Sequence, residues 1–310
     1  MPEGDAVHRT ANRLRAALVG QTLLQSDFRV PAYAEIDLSG QQVTAFEAVG
    51  KHLLTRFSGG LTLHTHLLMD GSWTATGPGK QLPATFRDEV RVALVTEAAT
   101  GWALRMQVVD LLPTSAEDTV VGHLGPDLLG QWDLDEAVRR LDAEPSRPIL
   151  EALLDQKNLS GLGNLWVNEV CFLRGLSPWT PVGEVDLPKL LGLARRMIQH
   201  GLEHGGMVTT GDTRRGMTHW VYGRAGRPCR RCRTPVDYRD KVDGEPYQRE
   251  VWWCPRCQPG PFPSLEERPT RPGFRRGVNE ESYGSRTRRL NGSPGMTRSP
   301  LPPRTDRGRA

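Results

Sequence analysis

The chain has 310 residues, 37% hydrophobic and 25% charged, with 40 lysines and arginines against 36 acidic side chains, for a net charge of +4. That apolar content supports a packed core and the length suits roughly two domains, so a wholly disordered chain, a collagen and a long coiled coil are excluded. No apolar run approaches the ~18 residues needed to span a bilayer, and the opening Met1-Pro2-Glu3-Gly4-Asp5 is acidic and small where a secretory leader is basic and then greasy. The expectation is a cytoplasmic protein with no membrane partner.

The charge is unevenly spread. Residues 261–310 hold eleven arginines, no lysine and five acids, a local +6 that leaves the other 260 residues at −2. Whole-chain charge is therefore no argument for a nucleic-acid partner. The same fifty residues hold eight of the 24 prolines and about nine apolar side chains, too few to offset the entropy of ordering them. A disordered basic tail is expected. Its arginines either attract phosphate non-specifically or simply keep a solvated extension in solution.

Along the rest of the chain, Val7, Ala11, Leu14 and Leu18 recur at helical spacing over 5–19, with Gly20 suited to the position past the helix end. Between 22 and 113 short apolar or alternating runs (42–47, 52–57, 61–69, 90–96, 102–109) are divided by Gly, Pro and Asp turns, which predicts an antiparallel β-sandwich. Helical periodicity then takes over at 135–141, 148–156, 164–173 and 187–203. A Gly-, Thr- and Arg-rich stretch at 205–218 reads as a mobile loop. The expected order is multidomain α+β: a β-sandwich domain at 1–113 with an N-terminal helix, a helical domain at 114–223, a small cysteine module at 224–260 and the tail at 261–310. No internal repeat is visible.

Four of the five cysteines fall as Cys229-x-x-Cys232 and Cys254-x-x-Cys257. Each pair offers two thiolates on one tight turn, and two such turns close a tetrahedral four-sulfur site for one structural zinc ion (Zn2+). Two independent redox motifs are the other reading, but no thioredoxin-like βαβ pattern surrounds them. The strand-like Trp252-Trp253 leads into the second pair, which makes the module a β-hairpin zinc finger. Cys171, alone in a helical run, reads as core. Residues 214–257 carry eleven basic side chains against five acids, a local +6 suited to phosphate.

Residues 148–176 form two amphipathic helices joined by a turn containing Gly161, Gly163 and Asn164. Backbone N–H groups at the second helix's start can hold a phosphate, although an ordinary helical hairpin looks the same. At the N-terminus, removal of Met1 would leave Pro2 with a secondary amine of pKa about 8, able to attack a carbonyl and form a Schiff base, with Glu3 beside it as acid or base. A proline and acids in a helix's first turn also fit a plain helix start.

Taken in order, Met1-Pro2-Glu3-Gly4, Gly50-Lys51-His52-Leu53-Leu54 in a β-rich domain, Gly161-Leu162-Gly163-Asn164 in the helical pair and the closing CxxC…CxxC finger resemble the formamidopyrimidine-DNA glycosylase/endonuclease VIII family over about residues 1–258. The opening is closest to the endonuclease VIII branch in its actinobacterial form. The resemblance implies a helix-two-turn-helix domain and a bifunctional DNA glycosylase and abasic-site lyase acting on double-stranded DNA that carries a damaged base or an abasic site. Pro2 would be the nucleophile at C1′, Glu3 the proton donor that opens the deoxyribose, and Lys51 a phosphate-binding lysine that assists. Asn164 and Arg249 would grip the DNA backbone around the lesion, and Met69 would fill the gap left by the everted base. Cys229, Cys232, Cys254 and Cys257 would ligate the zinc, and the stretch near 205–218 would cover the flipped base. No other cofactor is implied, and the protein is expected to act as a monomer.

Two departures stand out. Ala6 occupies the position of a second acid found in many members, with Asp5 next to it. No arginine–phenylalanine wedge is evident at 108–114, which favours oxidised pyrimidines over 8-oxoguanine. His64 and His66, two apart on one strand face, read as a satisfied structural pair before a metal site, and most of the eight tryptophans read as packing. The competing class is a DNA-damage-binding zinc protein without excision, or a lyase with little glycosylase activity.

Overall fold

The computed structural model describes residues 2–262. Residues 263–310, which hold nearly all of the expected disordered tail, lie outside the described residues.

Helix α1 (Gly4–Leu18) buries Val7, Ala11, Leu14 and Leu18, the stripe visible in the sequence, and the chain turns away through Gly20. Eight strands follow: β1 (Leu23–Phe28), β2 (Val43–Val49), β3 (His52–Phe57), β4 (Leu61–His66), β5 (Ser72–Thr76), β6 (Val90–Thr96), β7 (Thr100–Leu104) and β8 (Val108–Pro113). They form two antiparallel four-stranded sheets, ordered β1-β6-β7-β5 and β2-β3-β4-β8. The core between them takes its side chains from both sheets and from α1. Phe46 of one sheet meets Trp73 of the other edge to face at 5.5 Å. Two expected strands are shorter than their apolar runs. The 102–109 run divides between sheets because Arg105 adopts φ 50° and turns the chain. The 61–69 run ends at His66, after which Leu67–Gly71 forms the turn that presents Met69.

The helical part contains α2 (Asp118–Val121), α3 (Leu134–Asp142), α4 (Ile149–Leu154), α5 (Asn164–Arg174) and α6 (Leu187–His204). Helix α5 is the hub: its residues 164–172 are all buried, against α4, α6 and the cysteine hairpin. A helix buried on every side must find partners for each of its polar groups. The hairpin pairs β9 (Asp237–Arg239) with β10 (Val251–Trp253). Gln258, fully buried, accepts the Cys254 N–H at 2.9 Å and donates to the Leu176 carbonyl at 2.8 Å, fastening the hairpin to the end of the α5 segment. Phe262 still packs against Trp179 and Trp253. No helix among the described residues is long and apolar enough to cross a membrane.

Asp127 joins the β-rich and helical parts. Its Oδ2 accepts the Gly50 N–H at 2.7 Å and lies 3.3 Å from His8 Nε2, while Oδ1 accepts the Leu129 N–H at 2.9 Å. Gly50 takes φ 58°, and a Cβ there would stand 2.9 Å from Ser160 Cβ, so both its backbone angle and the closeness of the two parts require glycine. Burial raises the Asp127 carboxyl, but its bonds with His8, Gly50 and Leu129 outweigh that and hold it below the usual value of 3.8. Hydrogen bonds to a charged group contribute about 1.5–3 kcal/mol each. Asp127→Asn turns one acceptor into a donor facing the Gly50 N–H and should cost about 1–3 kcal/mol of unfolding free energy at pH 7 in urea titrations. Because the folded-state value is depressed, the gap from wild type should persist above pH 3.8 and close as pH falls below it.

Candidate active site

Glu3 sits one residue before α1 in an extended conformation and is 2% exposed. It does not cap its own helix. Its carboxylate reaches across 160 residues to the start of α5, where Oε2 accepts the Gly163 N–H at 2.9 Å and Oε1 the Leu165 N–H at 2.8 Å, with the Trp166 N–H at 3.4 Å. The adjoining Gly4 N–H donates to the Gly161 carbonyl at 2.9 Å. A Cβ on Gly163 would lie 2.5 Å from Glu3 Cδ, so the approach depends on glycine. The helix start that the sequence offers to a phosphate is thus occupied by an internal carboxylate, because Glu3 brings the negative charge that the helix end attracts.

Burial pushes the Glu3 carboxyl above its usual value, against the lowering influence of Lys51 and the α5 amides. Burial likewise pushes the half-buried Lys51 ammonium down; Glu3 opposes that shift and Arg249 adds to it. Tyr222, unnoticed in the sequence, is pushed up by burial and then by the charges of Glu3 and Glu250. Glu3, Lys51, Arg249 and Tyr222 therefore share one electrostatic neighbourhood, with Pro2 directly attached to it. Asn164 joins it through its Nδ2, which donates to the Glu250 carbonyl at 2.9 Å, while its Oδ1 accepts from Asn168 Nδ2 at 3.1 Å. Met69 is carried apart on the β4–β5 turn and is 61% exposed.

Asp5, next to Ala6, is turned into the protein, where its charge adds to the raising of the Glu3 carboxyl. Asp5 is fully buried, accepting the Trp166 indole N–H at 3.2 Å and an Arg9 N–H at 2.9 Å. Residues 108–113 form β8, paired with β4 along its length, and carry neither arginine nor phenylalanine. His64 is satisfied, lying 2.8 Å from His52 Nδ1 and 3.0 Å from Asp110 Oδ2, and His66 Nδ1 accepts the Leu68 N–H. Burial and neighbouring positive charge bring His52 to about 3 and His66 to about 4, so both are neutral at physiological pH.

Much of the basic cluster at 214–257 is structural. Arg214 pairs with Asp212, Arg224 donates to the Trp220 and Pro228 carbonyls, Arg230 to the His219 and Gly216 carbonyls, and Arg231 lies over the Phe172 and Trp220 rings. The 205–218 stretch is tied down at its base. Glu169 of α5, fully buried, accepts the N–H groups of Trp220, Val221 and Tyr222 at 2.8 Å each and the Thr209 hydroxyl. An open cavity of about 190 Å³ lies between this stretch (Val208, Thr209, Gly211), α6 (Arg196, Met197, His200) and Trp166. The signal that points to Glu169 and Asn168 is their place in an otherwise apolar helix, Leu165-Trp166-Val167 before them and Val170-Cys171-Phe172 after.

The four cysteines converge, all ligand atoms lying within 4.8 Å of one another and the Cys229–Cys257 and Cys232–Cys254 sulfurs 3.9 and 3.4 Å apart. Tetrahedral zinc–thiolate bonds of about 2.3 Å place sulfurs about 3.8 Å apart, so the donor set fits a four-coordinate ion. Cys171 stays outside, its thiol pushed up to about 12 by burial.

Residues 1–108 match the family described as formamidopyrimidine-DNA glycosylase N-terminal domain. The chain is 48% identical over 282 residues to "Probable endonuclease 8 2" of Streptomyces coelicolor, covering 90% of this chain and 99% of that protein. It is 43% identical over 260 residues to "DNA-(apurinic or apyrimidinic site) lyase Nei2" of Mycolicibacterium smegmatis, covering 83% and 99%. Among solved structures it is similar to the MutM (Fpg) protein of Thermus thermophilus, with a TM-score of 0.66 and 28% identity over 84% of this chain and all of that one.

With a metal ion in the four-cysteine site, chelation should lower the melting temperature of the full chain and weaken its retention on duplex DNA, because the hairpin that carries Arg249 has only short strands to hold it. Thermal melts and anisotropy titrations with and without chelator check this; re-addition of zinc should restore both.

Proposed function

We propose that this chain, which belongs to the formamidopyrimidine-DNA glycosylase and endonuclease VIII family, removes oxidised bases from double-stranded DNA and cleaves the resulting abasic site through a Schiff base on Pro2. The observation that carries the reading is the Glu3 carboxylate, buried on the start of α5 next to Pro2 and within charge reach of Lys51, on which Arg249 also acts.

The neutral Pro2 amine attacks C1′ and displaces the base, which leaves with the proton that the amine gives up; the nitrogen lone pair then expels the ring oxygen, which takes the Glu3 proton as the deoxyribose opens. A carboxylate offers about four lone-pair sites, and backbone N–H groups fill three of those on Glu3, so one remains for the proton. The iminium that forms makes the adjacent C2′ hydrogen acidic; its loss expels the 3′ phosphate, and a second loss expels the 5′ phosphate. Lys51, its ammonium destabilised by burial, both binds phosphate and offers a base for these protons. Asn164 keeps one amide hydrogen beyond the bond to Glu250 and, with Arg249, grips the backbone around the lesion. Met69, exposed on its turn, enters the stack, a step that offsets part of the few kcal/mol that base extrusion costs. One zinc ion held by Cys229, Cys232, Cys254 and Cys257 stabilises the hairpin, and no step passes through it. The lack of an arginine–phenylalanine pair at 108–114 favours oxidised pyrimidines. The protein acts as a monomer, in the cytoplasm on the nucleoid.

Borohydride should trap the mature protein on abasic-site duplex, and Pro2→Gly with a blocked amine, or an uncleavable N-terminal tag, should abolish the adduct while duplex affinity changes less than threefold. An adduct of undiminished yield moves the nucleophile elsewhere; none with wild type leaves a binding protein. The raised Glu3 carboxyl predicts a pH profile with a definite sign. The protonated form is needed, so base release should fall on the alkaline side as pH rises through the raised value, and Glu3→Gln should lower the rate about 10²-fold or more and remove that limb.

A further inference from the structure

Between β9 and β10 the cysteine hairpin carries a loop, residues 240–250, with Arg249 near its end. None of the four cysteines lies in it, and the strand ladder stops on either side, at Arg239 and Val251. The loop closes on itself where the Val242 N–H donates to the Gln248 carbonyl at 2.9 Å. It also leans on the helical part at two places that flank Arg249. On one side the Glu250 carbonyl accepts from Asn164 of α5 at 2.9 Å. On the other, Tyr247 meets the α4 segment. Arg147 lies over its ring, 4.7 Å from the centroid, inside the ~6 Å at which a guanidinium is attracted to an aromatic face.

Arg147 is itself fixed. It donates to Asp155 Oδ2 at 3.1 Å, and Asp155, buried at the end of α4, accepts the Lys157 N–H on its other oxygen at 3.0 Å. The Arg147 carbonyl accepts the Val182 N–H at 3.0 Å. Burial and then the charge of Asp155 push the Tyr247 hydroxyl up, so that end of the ring faces the same carboxylate. Pro148, Leu150 and Glu151 on the α4 side share with Val242, Gln248 and Arg249 a crevice of about 10 Å³, room for at most one water. The loop is therefore seated on α4. The Arg249 N–H donates to the Tyr247 carbonyl at 3.0 Å, which makes the two residues parts of one turn, and the Arg249 charge acts on Lys51 and Tyr222. An arginine whose backbone is held on both sides has less freedom to lose when it closes on a phosphate.

We propose that Tyr247 is a positioning residue for the phosphate grip of Arg249: clamped by Arg147 and Asp155, it anchors the hairpin loop to α4, so that Arg249 is held from both sides before DNA arrives. The inference rests on the repair reading above, in which Arg249 contacts the DNA backbone.

The test uses the full-length, metal-loaded chain and a duplex carrying a tetrahydrofuran abasic-site analogue, titrated by anisotropy between about 50 and 200 mM salt. Each phosphate contact adds about 0.9 to the slope of log affinity against log salt. Arg249→Ala should lower that slope by about one and weaken binding about fivefold. Tyr247→Leu, which keeps bulk but removes the aromatic face and hydroxyl, should lower the slope by at least about half as much. The double variant should bind no more weakly than Arg249→Ala, because both changes act on one contact. Tyr247→Phe keeps the ring on Arg147 and should bind within about twofold of wild type. An unchanged slope in Tyr247→Leu, or losses that multiply in the double variant, would overturn the proposal. So would a lower melting temperature or lost metal in step with the weaker binding, which would make Tyr247 a structural support of the hairpin. Wild-type binding by Arg249→Ala would instead bring down the role given to Arg249, and this inference with it.

Discussion

A carboxylate two residues from the N-terminus, buried against the start of a helix 160 residues away, is the contact on which the rest of this structure depends. It brings together a sandwich and a helical layer that have separate cores. A helix end carries roughly half a positive charge, and a partly buried anion there gains up to ~2 kcal/mol beyond its hydrogen bonds. The same burial raises the carboxyl, so one interaction both assembles the two parts and prepares an acid. The glycines around it follow from the geometry: side chains on Gly4 or Gly163 would occupy space that the two segments already share.

The pattern recurs. Asp127 and Glu169 are also buried carboxylates that accept backbone N–H groups, Asp127 from Gly50 across the two parts and from its neighbour Leu129, Glu169 from three residues of a distant segment. Bonds of this kind fix the main chain and leave side chains free for other work. Asp127 sets the turn that carries Lys51 against the helical layer, and Glu169 sets Tyr222 beside Glu3. Desolvating a carboxylate costs several kcal/mol unless its oxygens are satisfied, which is why each of the three takes three or more partners. The centre is therefore held at its edges by groups that need not touch a substrate.

Local features were legible in advance. The α1 stripe at Val7, Ala11, Leu14 and Leu18, the alternating strands and the two CxxC pairs each depend on neighbours within a few residues, so spacing alone exposes them. The Pro2-Glu3 opening, the Lys51 turn and the Asn164 helix start could be recognised as motifs, yet which groups they meet could not. Nothing near Glu3 indicates that its partners lie on α5, and nothing near Asp5 shows that Trp166 and Arg9 engage it. Charge counting misjudged the 214–257 cluster because a sum does not distinguish an arginine facing solvent from one such as Arg230, turned inward onto carbonyls. The 102–109 run looked continuous because Arg105, a residue type with no turn preference, makes the turn.

The wide separation between Glu3 and α5 also bears on how the protein is made. At roughly 5–20 residues per second, the ribosome needs on the order of ten to thirty seconds to extend the chain from Glu3 to Gly163. During that interval the sandwich can collapse around α1 while the Glu3 carboxylate still faces water, with its ordinary acidity. A reactive centre that depends on both ends of such a span is absent from the nascent chain and is completed only when the helical layer closes over its own beginning.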